Sequence, residues 1–133
     1  MDCPFCKLVK QGLPDHCIYE DNNFFVILDK GSLGFGHCMV IPKEHKEKIY
    51  ELEDDKYTSL FSLAKNLTQK LLKITNKKAV AYMAFGSGLP HAHLHLVPHD
   101  DQDVLINPMK YLRKLTDEEL KKEADEIKIN LNL

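Results

Sequence analysis

The sequence predicts an α+β fold: an antiparallel sheet of about five strands, one long helix and a C-terminal helix. Three observations predict it. Five short apolar runs, 17–20, 24–28, 37–42, 79–85 and 91–97, have the length and the turn-rich borders of strands. One stretch, Asp54 to about Thr75, repeats its apolar residues at helical spacing. The strands precede or follow that helix instead of alternating with several helices, which favours an antiparallel sheet over a doubly wound one.

Taken in order, Cys3 to Lys10 reads as a short helix or turn ended by Gly12 and Pro14. Asp21-Asn22-Asn23 is turn chemistry between the first two strands. Gly31 to Gly36 carries three glycines and reads as a loop, and Pro42 closes the third apolar run. In the long helix Tyr57, Leu60, Phe61, Ala64, Leu67, Leu71 and Ile74 form the apolar stripe, widened by Leu63 and Leu72. Asp54 or Asp55 suits its N-terminal cap, and Asn76 with two lysines suits its end. Ala79–Phe85 is apolar and short enough for a buried strand, broken by Gly86-Ser87-Gly88. His91–Val97 alternates as a strand does. Thr116-x-x-Glu119 is a capping box opening a Lys/Glu-rich helix to about Ile129. Nothing divides the 133 residues, so the expectation is one domain over 1–133.

Composition narrows function. The chain is 44% hydrophobic and 29% charged, enough to build a core. Eighteen basic against twenty acidic side chains give a net charge of -2, without the basic footprint of a nucleic-acid backbone binder. No apolar run approaches the roughly 20 residues of a membrane span. The start, Met-Asp-Cys-Pro-Phe-Cys, lacks a signal-peptide pattern, so a cytoplasmic protein with reduced thiols is expected. Cys17 and Cys38 lie in apolar runs and read as small core residues.

Seven histidines stand out, four of them between 91 and 99. On a strand, His91, His93 and His95 share one face while Ala92, Leu94 and Leu96 fill the core behind. Two functional readings remain open from the residues alone. The row binds a catalytic metal, although bridging carboxylates are missing within it. Otherwise one imidazole attacks phosphorus while its neighbours hold the phosphate oxygens, helped by amides and a hydroxyl of Gly86-Ser87-Gly88.

His91-x-His93-x-His95 followed by two apolar residues resembles the signature of the histidine triad family of nucleotide hydrolases and transferases. Cys3-Pro-Phe-Cys-Lys-Leu-Val, Gly12-Leu-Pro, Tyr19-Glu-Asp, Phe25-Val-Ile-Leu-Asp29 and Gly36-His-Cys-Met-Val-Ile-Pro-Lys43 are similar to the family's segments, in the same order. The resemblance covers residues 3 to about 99; the tail to 133 carries little of it. It implies the family fold and a metal-independent hydrolase acting on purine nucleoside phosphoramidates or related adenylates. In that reading His93 is the nucleophile, His95 and His37 contact the phosphate and leaving-group side, and His91 supports His93. Asp29 binds the ribose hydroxyls, Phe5, Leu8, Leu13 and Ile27 wall the purine, and Gly86, Ser87 and Gly88 meet the phosphate. A homodimer joined through Ala79–Phe85 is implied as well.

The resemblance also implies a structural zinc ion held by Cys3, Cys6, His45 and His91, since Cys-x-x-Cys alone makes half a site. Three departures bear on substrate and rate. The glycine-rich stretch before the triad is short, Gly88 stands where a phosphate-binding serine is usual, with Ser87 beside it, and His99 replaces a common arginine. A nucleotide- or partner-binding module with little turnover, and a zinc-dependent hydrolase, stand as alternatives. His16, after Asp15 in a turn, reads as solvated, and His99 has no assigned role.

Overall fold

Asp21 shows how short-range chemistry shapes the first hairpin. Its Oδ1 accepts the amides of Asn23 and Phe24, both at 2.8 Å, and turns the chain from β1 (Cys17–Glu20) into β2 (Phe24–Leu28). The computed structural model describes residues 3–132; residues 1, 2 and 133 of the expected 1–133 unit lie outside that range. Before the hairpin, Pro4 starts α1 (Pro4–Gln11), and Gly12 at φ +113° ends it.

After β2 come β3 (Gly31–Ser32) and β4 (Cys38–Pro42), a single 3-10 turn at Ile49–Glu51, and the long helix α2 (Asp54–Thr75). Then follow β5 (Ala79–Met83), β6 (Leu94–His99), the short helices α3 (Asp103–Ile106) and α4 (Pro108–Tyr111), β7 (Arg113–Lys114) and α5 (Asp117–Leu131). The main sheet runs β1-β2-β4-β6-β5, antiparallel throughout, and β3 pairs with β7 in a second, two-stranded sheet. No helix among the described residues is long and apolar enough to cross a membrane.

Both faces of the central strands are covered, so β2 and β4 are buried at every position. Phe24, Val26, Leu28, Cys38 and Val40 point into the larger core, against Leu60, Ala64, Leu67 and Leu71 of α2 and Leu120, Ala124 and Ile127 of α5. Phe25, Ile27, Met39 and Ile41, the alternate residues, form a smaller core with Cys3 and Phe5, the latter from α1. Cys17, half-buried, packs at the rim of that second core.

Several expectations need correction. Gly31–Ser32 is a strand, because β7 arrives from the distant C-terminal region to pair with it. Glu53 caps α2 without a side-chain bond, and Asp54 and Asp55 sit in the first turn, where the helix dipole favours them. The strand at 79–83 is the sheet edge: Ala79 and Tyr82 are exposed and the rest half-buried, so its apolar residues do not make a buried strand. The strand after the glycine turn begins at Leu94, leaving His91 and His93 on the approach to it. The capping box at Thr116 is present, with Glu119 N–H to Oγ1 at 3.1 Å and Thr116 N–H to the Glu119 carboxylate at 2.9 Å. Half-buried His16 is less solvated than a plain turn residue, and burial lowers its pKa.

Candidate active site and metal centre

His91 and Ala92 are held off the sheet by main-chain bonds, His91 N–H to Leu89 O at 2.9 Å and Ala92 N–H to Lys46 O at 2.7 Å. The three histidines therefore do not form one face of a strand. His91 is fully buried and turns toward the N-terminal cysteines, while His93 and His95 pack ring to ring with centroids 5.1 Å apart. Phe5 meets both His91 and His93 edge-on at 5.5 Å.

Hydrogen bonds set the protonation of each ring. Nδ1–H of His93 donates to the carbonyl of His91 at 2.7 Å, which leaves the lone pair on Nε2. The Leu33 amide donates to Nδ1 of His37 at 3.0 Å, so in the neutral ring the proton resides on Nε2. That Nε2–H faces Nδ1 of His95 at 2.9 Å, which in turn places the His95 proton on its own Nε2. The result is a relay, Leu33 to His37 to His95, ending in an N–H on the ring that packs against His93.

Burial keeps this relay neutral. It lowers His37 to about 3, with His95 and the Arg113 charge adding to it, and lowers His95 to about 4, with His93 adding to it. Asp29 approaches both rings with Oδ2 at 3.6 Å, and its Oδ1 accepts the Gly31 amide at 2.9 Å. Burial raises the Asp29 carboxyl, against the pull of the Gly31 bond and of His93. With both imidazoles neutral, these contacts are dipolar and not ion pairs. Asp29, His37 and His95 also lie close enough to share a cation, but His37 and His95 already satisfy each other.

A second constellation gathers Cys3, Cys6, His45 and His91, whose donor atoms lie within 4.8 Å of one another. Cys3 Sγ is 3.2 Å from His91 Nδ1, Cys6 Sγ 3.3 Å from His45 Nδ1 and 3.6 Å from His91 Nδ1, and the two Nδ1 atoms are 3.1 Å apart. A tetrahedral ion with bonds of about 2.0–2.3 Å gives edges of roughly 3.3–3.8 Å, so the four donors fit a metal centre. The other nitrogen of His91 donates to the carbonyl of Pro42 at 2.8 Å, the outer bond that fixes a ligating histidine.

The remaining predicted residues divide. Phe5 and Ile27 are buried in the smaller core with Leu8 and Leu13 packed on it, so these four share one face of the sheet, beside Asp29 at the end of β2. Gly86, Ser87 and Gly88 lie on the bend between β5 and the triad; Gly86 and Gly88 have positive φ, and Ser87 is exposed. Sequence reasoning missed the amide of Leu33, the carbonyl of Pro42 and Phe85. Phe85, 66% exposed, meets His95 edge-on at 5.8 Å. Two of the three are main-chain groups, which carry no residue signature.

Fold and site together define an α+β protein with a histidine relay on one sheet and a Cys/His centre beside it. Residues 10–102 match the HIT domain, and the chain belongs to that family. It is 32% identical over 109 residues to a HIT-like protein of Borreliella burgdorferi, covering 77% of this chain and 78% of that one. The adenosine 5'-monophosphoramidase hnt1 of Schizosaccharomyces pombe is 28% identical over 132 residues, 96% of both chains. A zinc-bound histidine triad family protein of Mycobacterium smegmatis shares the fold, with a TM-score of 0.79 and 23% identity over 98% of this chain and 94% of that one.

Proposed function

We propose that this protein is a nucleotide-binding hydrolase that cleaves purine nucleoside phosphoramidates, or related adenylates, through a nucleotidyl intermediate on His93. The observation that carries the reading is the 2.7 Å bond from Nδ1 of His93 to the His91 carbonyl, which presents Nε2 as a nucleophile. The phosphoramidase activity of the fission-yeast relative supports the substrate class.

In the first step the Nε2 lone pair attacks the α-phosphorus, the bond from phosphorus to the leaving group breaks, and the leaving amine or oxyanion takes up a proton. In the second, water attacks the same phosphorus, its proton is lost to solvent, and the His93–phosphorus bond breaks to release the nucleoside monophosphate. Charge on the phosphate oxygens is met by the Nε2–H of His95, whose direction the His37 relay sets, and by the amides of Gly86 to Gly88. The carbonyl of His91 accepts the Nδ1 proton and steadies the positive charge that develops on the His93 ring when Nε2 bonds to phosphorus. Asp29 takes the ribose hydroxyls, and Phe5, Leu8, Leu13 and Ile27 take the base.

Zinc fits the Cys3, Cys6, His45 and His91 donors, two thiols and two imidazoles whose ligand atoms all lie within 4.8 Å of one another. Bound there, it would have its four tetrahedral positions filled by protein donors and would tie α1 to the triad approach. The edge strand β5, with Tyr82 and Phe85 exposed beside it, is the surface for pairing a second copy.

The test is incubation with an AMP phosphoramidate and an alkaline quench, followed by intact-mass analysis. An AMP adduct mapping to His93, lost in His93→Ala, supports the reading. A wild type with neither adduct nor turnover leaves a nucleotide-binding module, and activity that disappears on thorough chelation and returns with zinc in an otherwise folded protein favours a metal hydrolase.

A further inference from the structure

Beyond residue 102, where the family match ends, the chain returns to the back of the relay. Strand β7 pairs with β3, placing Arg113 opposite Ser32. The Arg113 guanidinium donates to Ser32 Oγ at 2.7 Å and to Glu123 Oε1 at 3.3 Å. The other carboxylate oxygen of Glu123 accepts the amide of Gly36 at 3.0 Å. Ser32 Oγ also bonds to Gly34, donating to its carbonyl at 2.7 Å and accepting from its amide at 3.2 Å. The short loop from Ser32 to Gly36 is thus gripped at both ends by two side chains of the C-terminal segment. Inside the grip lies Leu33, whose amide fixes the tautomer of His37.

The chemistry of the grip is costly for a device that only adds stability. The Glu123 side chain is 8% exposed and Ser32 is buried, while the Arg113 side chain is 39% exposed. The grip therefore desolvates a carboxylate against a partly solvated partner, a cost that apolar residues would not carry. A directional set of hydrogen bonds, from one guanidinium nitrogen to both Ser32 and Glu123, does something apolar packing does not: it sets where one main-chain amide points.

We propose that Arg113 and Glu123 are positioning residues for the His37–His95 pair, clamping the Ser32–Gly36 loop so that the Leu33 amide holds His37 with its proton on Nε2. The catalytic part of this inference rests on the nucleotidyl-histidine reading above; the tautomer part does not.

The test compares wild type with Ser32→Ala, which removes the hydroxyl that Arg113 grips together with its two bonds to Gly34, and with Arg113→Met, Arg113→Lys and Glu123→Gln, which leave those two bonds in place. Long-range 15N NMR of the histidine rings reads the tautomer of His37, and steady-state kinetics on the AMP phosphoramidate read kcat and KM. Expected in Ser32→Ala and Arg113→Met is a kcat lower by about tenfold or more, as misplacement of a positioning group produces. KM should change by less than about twofold. The His37 ring should change from one tautomer to a mixture, and Arg113→Lys should recover part of both effects. A lower melting temperature with the tautomer and kcat unchanged overturns the proposal, and so does a rise in KM alone. Should Arg113→Met fail to fold, Glu123→Gln decides, since it removes the charge that faces Arg113 and leaves the bonds of Ser32 to Gly34 in place. A wild type without turnover or adduct defeats the phosphoramidase reading instead, and the NMR comparison still judges the clamp.

Discussion

His93 donates its Nδ1 proton to the main-chain carbonyl of His91 at 2.7 Å, while the side chain of His91 belongs to the Cys/His centre. The nucleophile proposed for catalysis is therefore anchored on the backbone of a proposed metal ligand. No side-chain substitution deletes that carbonyl, but loosening the centre displaces it.

Removal of the metal should act on stability first. At free zinc about 1,000 times its dissociation constant, binding contributes ~4 kcal/mol to folding. Chelation, or Cys6→Ser, should remove a contribution of that order in urea titrations. The AMP adduct on His93 should still form, about tenfold more slowly as the anchor shifts. Loss of adduct formation in chelated protein shown to remain folded would count against a purely structural metal.

His95→Ala removes the donor at the end of the relay. Its kcat should fall about 10²-fold, the effect of deleting one donor to developing oxyanion charge. His37→Ala should cost less, because the Nε2–H of His95 remains but its tautomer is no longer dictated. Single-turnover rates with an AMP phosphoramidate check the order of the two.

Acid should weaken the fold through the same pair. Folding lowers His37 from 6.5 to about 3 and His95 from 6.5 to about 4, mainly by burial. The unfolded chain takes up protons below 6.5 that the folded chain refuses. These groups cost nothing above that pH, and stability drops as pH falls toward 4. Each contributes up to about 1.4 kcal/mol per pH unit in that window. Urea unfolding between about pH 7 and 5 should show this slope in wild type and a smaller one in His37→Asn/His95→Asn.

Gly36→Ala tests the loop that carries His37. Gly36 has φ +87°, and a Cβ there would lie 3.0 Å from Cγ2 of Thr75 and 3.3 Å from Cγ of Pro98. The substitution should cost about 1–3 kcal/mol in thermal or urea denaturation, from backbone strain and overpacking together.

Much of this protein is legible in its residues. The bounds of α2 follow from the spacing of Leu60, Ala64, Leu67 and Leu71, and the start of α5 from Thr116 and Glu119, because helix periodicity and capping are local. The strands at 17–20 and 24–28 follow from their turn, and the Cys3, Cys6, His45 and His91 set from the family resemblance. Less legible was the triad itself: an alternating pattern reads as a strand, yet His91 and Ala92 are held off it by bonds to Leu89, Lys46 and Pro42, and the strand begins only at Leu94.

By itself, then, the sequence determined the α+β class, the long helices and the histidine row, all properties of residue type and short-range spacing, while the four candidate metal donors followed from the family resemblance. The tertiary structure alone decided that Leu33 and the carbonyls of His91 and Pro42 orient the imidazoles, and that Arg113 and Glu123 reach Ser32 and Gly36 from about eighty residues away. Those contacts are made by main-chain groups common to every residue, or by side chains paired across the fold. Their geometry exists only once the chain has closed on itself.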